Sequence, residues 1–195
     1  MRFGTTAAAA LLVTGVTTGT ASAAPVTPQT GTLTYTCTYP GIPAQSTTFT
    51  GSFAAEDHVP PGGTFTLTGV QLTHVLSPAV RSLFTAAGYD AVRGSFGASI
   101  TATNATPATA SISGGFPEQA VPATGGLTFP ELAGDLTFTA GAAGSIGFAL
   151  GAQVSESLQF HKKPTGTWVA LSSTCTVKVT SPAQNRAFQP DLAIS

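Results

Sequence analysis

Two stretches, one near each end of the chain, restrict what it can fold into. In GTLTYTCTYP (31–40), Leu33, Tyr35, Cys37 and Tyr39 fall on one parity and Thr32, Thr34, Thr36 and Thr38 on the other. In LSSTCTVKVT (171–180), Cys175, Val177 and Val179 alternate with Thr174, Thr176 and Lys178. A β-strand sends successive side chains to opposite faces, so each stretch reads as a strand with one apolar face and one hydroxyl face. Thr-Cys-Thr occurs in both, and both cysteines sit on the apolar parity.

Three roles are open to Cys37 and Cys175. A nucleophilic cysteine needs partial exposure and a histidine, a cation or a helix N-terminus to lower its pKa, whereas Cys37 is flanked by Thr and Tyr in a strand whose other apolar residues are large. A zinc site needs further ligands at close spacing, and no CxxC or neighbouring histidine supplies them. Two cysteines in an exported chain allow one intramolecular pairing. The expectation is therefore a structural disulfide joining Cys37 and Cys175.

Export is read from the first 23 residues. Arg2 and the amino terminus give a small positive region, Ala7 to Val16 is largely apolar, and Ala21-Ser22-Ala23 fits the small-x-small cleavage rule. The apolar run is about ten residues, well short of the roughly 20 needed to span a bilayer. With no C-terminal apolar segment or lipid-accepting cysteine in view, no stable membrane anchor is expected, and the chain reads as secreted, free or wall-associated. Residues 24–30 then form a short linker, 31–180 the domain and 181–195 a flexible tail.

Between the two cysteine strands, short alternating runs are separated by Gly and Pro. Ser46–Phe53, Phe65 onward, Val92–Thr103, Thr109–Ser113, Leu136–Thr139, Ile146–Leu150, Val154–Phe160 and Thr167–Leu171 all read as strands. In the second of these, the apolar parity slips at Gly69, which suggests a β-bulge or a bend between sheets. GGFPEQAVPATGG (114–126) reads as loop or edge. One segment departs: in SPAVRSLFTAAG, Ser77 can cap a helix, Pro78 suits its first turn, and Val80, Leu83, Phe84 and Ala87 share one face. The fold class is all-β: an antiparallel, immunoglobulin-like sandwich of about 8–10 strands with one short helix near 78–87.

Composition excludes some functions. Charged residues are 8% of the chain, against about 25% in ordinary domains. Without Arg2, six basic side chains face eight acidic ones. No basic patch exists to attract phosphates, so nucleic acid is excluded as a partner. Hydrolase and nucleotide motifs are missing: RGSFG (93–97) and AGSIG (143–147) lack the first glycine of GxSxG, and no HExxH or phosphate-binding glycine loop occurs. The densest ligand cluster, Glu56-Asp57-His58, lies in a Pro-Gly turn and reads as solvated. His74 reads as a satisfied histidine at a core edge, His161 as part of a charged turn, and Glu131 with Asp135 as a surface turn. Trp168, the only tryptophan, is expected to pack over the disulfide as in immunoglobulin-type sandwiches. Asn104-Ala105-Thr106 is a formal glycosylation sequon. No catalytic residue, metal ligand or cofactor is assigned.

TYTCTYPG (34–41), GGTFTLTGVQL (62–72), PAVRSLFTAAGYDAVRG (78–94) and WVALSSTC (168–175) together resemble an uncharacterised family of exported actinobacterial domains. The resemblance spans roughly residues 31–180 and implies an extracytoplasmic β-rich domain with paired terminal cysteines; it carries over no catalytic residue. The functional expectation is a secreted, non-enzymatic binding or structural module, with an extracellular protein or cell-wall glycan as partner and its oligomeric state open. A hydrolase inhibitor presenting the 114–126 loop is the alternative, and a wall-polysaccharide hydrolase the more distant one.

Overall fold

A computed structural model describes residues 23–195. The expected export signal lies outside the described residues, its last residue apart. The strands are Pro25–Val26 (β1), Leu33–Tyr39 (β2), Ile42–Glu56 (β3), His58–Val59 (β4) and Thr64–Leu76 (β5). Helix Pro78–Ala86 (α1) follows, then Tyr89–Thr103 (β6), Ala105–Thr106 (β7), Thr109–Ala120 (β8), Leu127–Ala133 (β9) and Leu136–Ala140 (β10). Gly144–Leu150 (β11), Gln153–Lys162 (β12), Thr167–Val177 (β13) and Leu192–Ile194 (β14) complete the chain.

All-β with one short helix holds; the immunoglobulin-like sandwich is not what the strand pairing gives. The strands join one 14-stranded sheet rather than two stacked sheets. Within it, β3–β2–β13–β12–β6–β8–β9–β5 form an antiparallel path, and β5 pairs back to β3 to close a ring. Closure removes the exposed edges that each sheet of an open sandwich must protect. Long strands make it geometrically available: β3 and β6 each run 15 residues and β5 runs 13, so each can pair with different partners along its length. Among the described residues, the one parallel pair joins β14 to β4 outside the ring.

Alternation sets the inside. Leu33, Tyr35, Cys37 and Tyr39 of β2 are buried, while Thr36 and Thr38 are exposed. The phase slip occurs where expected. Gly69 has φ +58°, and the β3–β5 register shifts between Ser52 and Ala54, so Leu67 and Val70 both face the core. A side chain at that φ would be strained, which is why glycine stands at the bulge.

The turns β2–β3, β8–β9 and β12–β13, together with α1, lie at one end of the ring. Ser77 caps α1 by accepting the Val80 N–H at 3.3 Å. Only Val80 and Phe84 of the expected helical face are buried; Leu83 and Ala87 are exposed. A nine-residue helix lying across a ring mouth touches it along one narrow line, here through Phe84 stacked on Phe160 at 4.4 Å and edge-on to Tyr39 at 5.7 Å. The other end is filled by Phe53, Phe65, Phe138, Phe148 and Phe188, in mutual aromatic contact.

Three further expectations change. Residues 114–120 continue β8, so the Pro- and Gly-rich loop shrinks to 121–126. The linker contributes β1 and a buried Thr30. The C-terminal segment is packed rather than a free tail: Phe188 is buried, Gln29 bridges Gln189, and β14 pairs β11. A Cβ at Gly51 would come within 2.9 Å of the Phe188 ring, so this glycine leaves the space the aromatic side chain fills.

Candidate functional site

β2 and β13 are neighbours, and Cys37 lies directly opposite Cys175 in their register. The two form a disulfide, with no free cysteine among the described residues. The repeated Thr-Cys-Thr motif is thus one cross-strand ladder, since Thr38 faces Thr174 and Thr36 faces Thr176 on the outer side. The bridge joins residues 138 apart in sequence. In the chain-entropy account, closing so long a loop stabilises by about 5 kcal/mol. Thr47 Oγ1 lies 3.1 Å from Cys37 Sγ, and Ser173 Oγ 3.5 Å from Cys175 Sγ.

Beside the bridge, inside the ring, lies a polar cluster the sequence reading did not assemble. His74 on β5, Glu131 on β9 and Glu156 on β12 each bring a donor atom within 4.8 Å of the other two. All three are buried, with exposures of 0%, 0% and 2%. His74 is therefore a core residue rather than one at a core edge, and Glu131 is in a strand interior, not a surface turn; its supposed partner Asp135 is exposed. Parity carried the signal. Glu131 alternates with Leu127 and Phe129, and Glu156 with Val154, Leu158 and Phe160, so each acid sits on its strand's buried face.

His74 Nδ1 meets Glu156 Oε1 at 2.5 Å. A carboxylate accepts, so Nδ1 carries the proton. Phe49 stacks on the imidazole at 4.1 Å, and Phe129 meets it edge-on at 5.4 Å. Burial, then the charge of Glu156 and a hydrogen bond to it, push the Glu131 carboxyl up to about 10. Glu131 is accordingly protonated at neutral pH and can donate to Glu156. Burial works against the Glu156 carboxylate, but the charge and hydrogen bond of His74, with contacts from Glu131 and Ser173, hold it below the ordinary range. Within the cluster, His74 Nε2 is buried with no hydrogen-bond partner. Each buried polar atom left so costs about 1–3 kcal/mol.

The outer face carries a different set. Trp168 and Cys175 are an odd number of positions apart on β13, so they face opposite sides and the indole does not pack over the bridge. It lies outside, half-buried, 4.1 Å from the Arg93 guanidinium and 5.3 Å from the His161 ring. Arg93 Nε donates to Gln159 Oε1 at 2.8 Å, and His161 Nδ1 contacts Asp90 Oδ1 at 2.6 Å. Next to Arg93 runs a groove of about 480 Å³ whose walls include Ser95, Pro117, Ser157, Gln159 and Ser172. Among the described residues, Arg93 is the only ionisable one lining it.

The remaining candidates stay apart. His58 contacts Asp57 at 2.8 Å, but Asp57 also accepts the Ala24 N–H, and Glu56 points to solvent. Those two contacts, the backbone one first, hold the Asp57 carboxyl below its ordinary range. Asn104 of the sequon takes φ +57° and donates its amide to the carbonyls of Ala142 and Ser145.

The chain matches the model of a family of unknown function (DUF6801) over residues 34–189 and belongs to that family. No curated protein and no solved structure matches it.

Proposed function

We propose that this family member is an extracytoplasmic, non-enzymatic binding module that meets its partner, a cell-wall glycan, on the outer face of β6, β12 and β13. The observation that carries the reading is the groove beside Trp168. Arg93 is held between an indole and the Gln159 amide, and serine hydroxyls line the adjoining wall. Hydroxyls and amides exchange hydrogen bonds with sugar hydroxyls, an aromatic ring offers a flat apolar surface, and one cation among neutral groups suits an uncharged or weakly anionic polymer. The buried trio supports the non-enzymatic part, because His74, Glu131 and Glu156 are sealed in the core, beyond a polymer's reach.

Co-sedimentation with insoluble wall glycan tests this. The wild-type chain is expected in the pellet, and Trp168→Ala and Ser157→Tyr, which remove the ring and fill the groove, in the supernatant. Wild-type protein left in solution, or both variants retained like wild type, would sink the assignment.

A further inference from the structure

The interior cluster has the composition of a metal site. His74 meets Glu156 Oε1 through Nδ1, and the Glu131 oxygens have no partner other than the Glu156 carboxyl, the three residues coming from three different strands of the ring. One donor atom from each residue lies within 4.8 Å of the others, and all are inaccessible to solvent. Phe49 and Phe129 cover the imidazole and supply no polar partner. Ser173 contacts Glu156, and the buried Tyr39 hydroxyl lies near the same carboxylate.

We propose that His74, Glu131 and Glu156 bind one divalent first-row transition ion, of the Zn²⁺ or Mn²⁺ class, as a structural centre inside the ring. Two carboxylates offset the charge of a dication, so a neutral assembly is left in the apolar core. One imidazole nitrogen with carboxylate oxygens suits these ions, whereas Ca²⁺ takes six to eight oxygens, more than the cluster holds. The disulfide withholds both nearby sulfurs, so the donors are nitrogen and oxygen only. All three side chains are closed off from solvent. The ion therefore enters as the ring closes during folding and leaves only when the ring opens. This proposal is independent of the outer groove.

The test is metal analysis of the full chain, purified without a metal-affinity step and also refolded with Zn²⁺, with Mn²⁺ or with chelator. The expected result is about one ion per chain surviving dialysis against chelator, with a higher melting temperature than the chelator-refolded sample. Glu131→Gln, close in shape, should lower retained metal by roughly tenfold or more. Glu118→Gln, on the exposed side of β8, should retain it. Wild-type protein holding less than roughly 0.1 ion per chain after every refolding, with unchanged melting, overturns the proposal and leaves a cluster neutralised by protons alone. A Glu131→Gln chain that retains the ion like wild type overturns it too, by placing the ion elsewhere. If that variant does not fold, the wild-type metal content decides.

Discussion

Two histidines in this molecule have matching neighbours and opposite surroundings. His74 contacts Glu156 through Nδ1 at 2.5 Å and stacks on Phe49; His161 contacts Asp90 through Nδ1 at 2.6 Å and lies against Trp168. The first pair is fully buried, while the second leaves 28% and 41% of its side chains exposed. Inside the ring, water cannot replace a lost partner, so the pair is tied to folding. Outside, water can, so the same contact contributes little to stability and the groups stay free to meet a ligand.

That contrast can be broken or sharpened by removing parts of it. Replacing both Cys37 and Cys175 by Ser should cost the most, about 5 kcal/mol in urea unfolding from the chain-entropy estimate. A loss below about 1 kcal/mol would mean that ring closure, rather than the bridge, already confines the chain ends. Glu156→Ala should come next at roughly 3–5 kcal/mol, because it strands buried polar partners. Asp90→Ala makes the same deletion outside and should cost under about 1 kcal/mol. Equal losses would erase the distinction between the two histidines.

The interior cluster also predicts a pH dependence for chelator-refolded protein. The Glu131 carboxyl is raised from 4.5 to about 10, so the folded chain keeps a proton that the unfolded chain releases. Its contribution is complete below pH 4.5 and declines as pH rises toward about 10, by at most about 1.4 kcal/mol per unit. Glu156 acts in the opposite sense, its contribution present above the ordinary carboxylate range and lost on acidification. Urea midpoints measured across this window should fall with pH, and Glu131→Gln should flatten the decline. The smallest stability effect belongs to Trp168→Ala, within about 1 kcal/mol, for a cation–π contact at the surface.

Much of the fold was legible because alternation is local. The inward parity of β2, the bulge at Gly69, the Ser77 cap and the pairing of two cysteines all followed from residues within a few positions or from simple arithmetic. Ring closure was not legible, since it depends on β5 meeting β3 and β9 on its two sides, and no residue encodes that alone. The buried cluster was partly legible: His74, Glu131 and Glu156 each stand on an apolar parity, but an isolated acid in a strand looks like a surface residue until three strands converge. Trp168 was misplaced by analogy with a sandwich, although its odd spacing from Cys175 already put it on the other face. Phe188 had no periodic neighbours, so its burial emerges only from the space above Gly51.

The separation between a sealed interior and an accessible exterior is measured most directly by hydrogen–deuterium exchange at the Cε1 positions of the three histidines, followed by mass spectrometry under native conditions. His58 and His161 should exchange at rates close to free imidazole, while His74 should remain protonated at carbon until the chain is unfolded. Exchange of His74 at the rate of His161 in folded protein would contradict the account, because solvent would then reach the cluster that the ring is said to enclose.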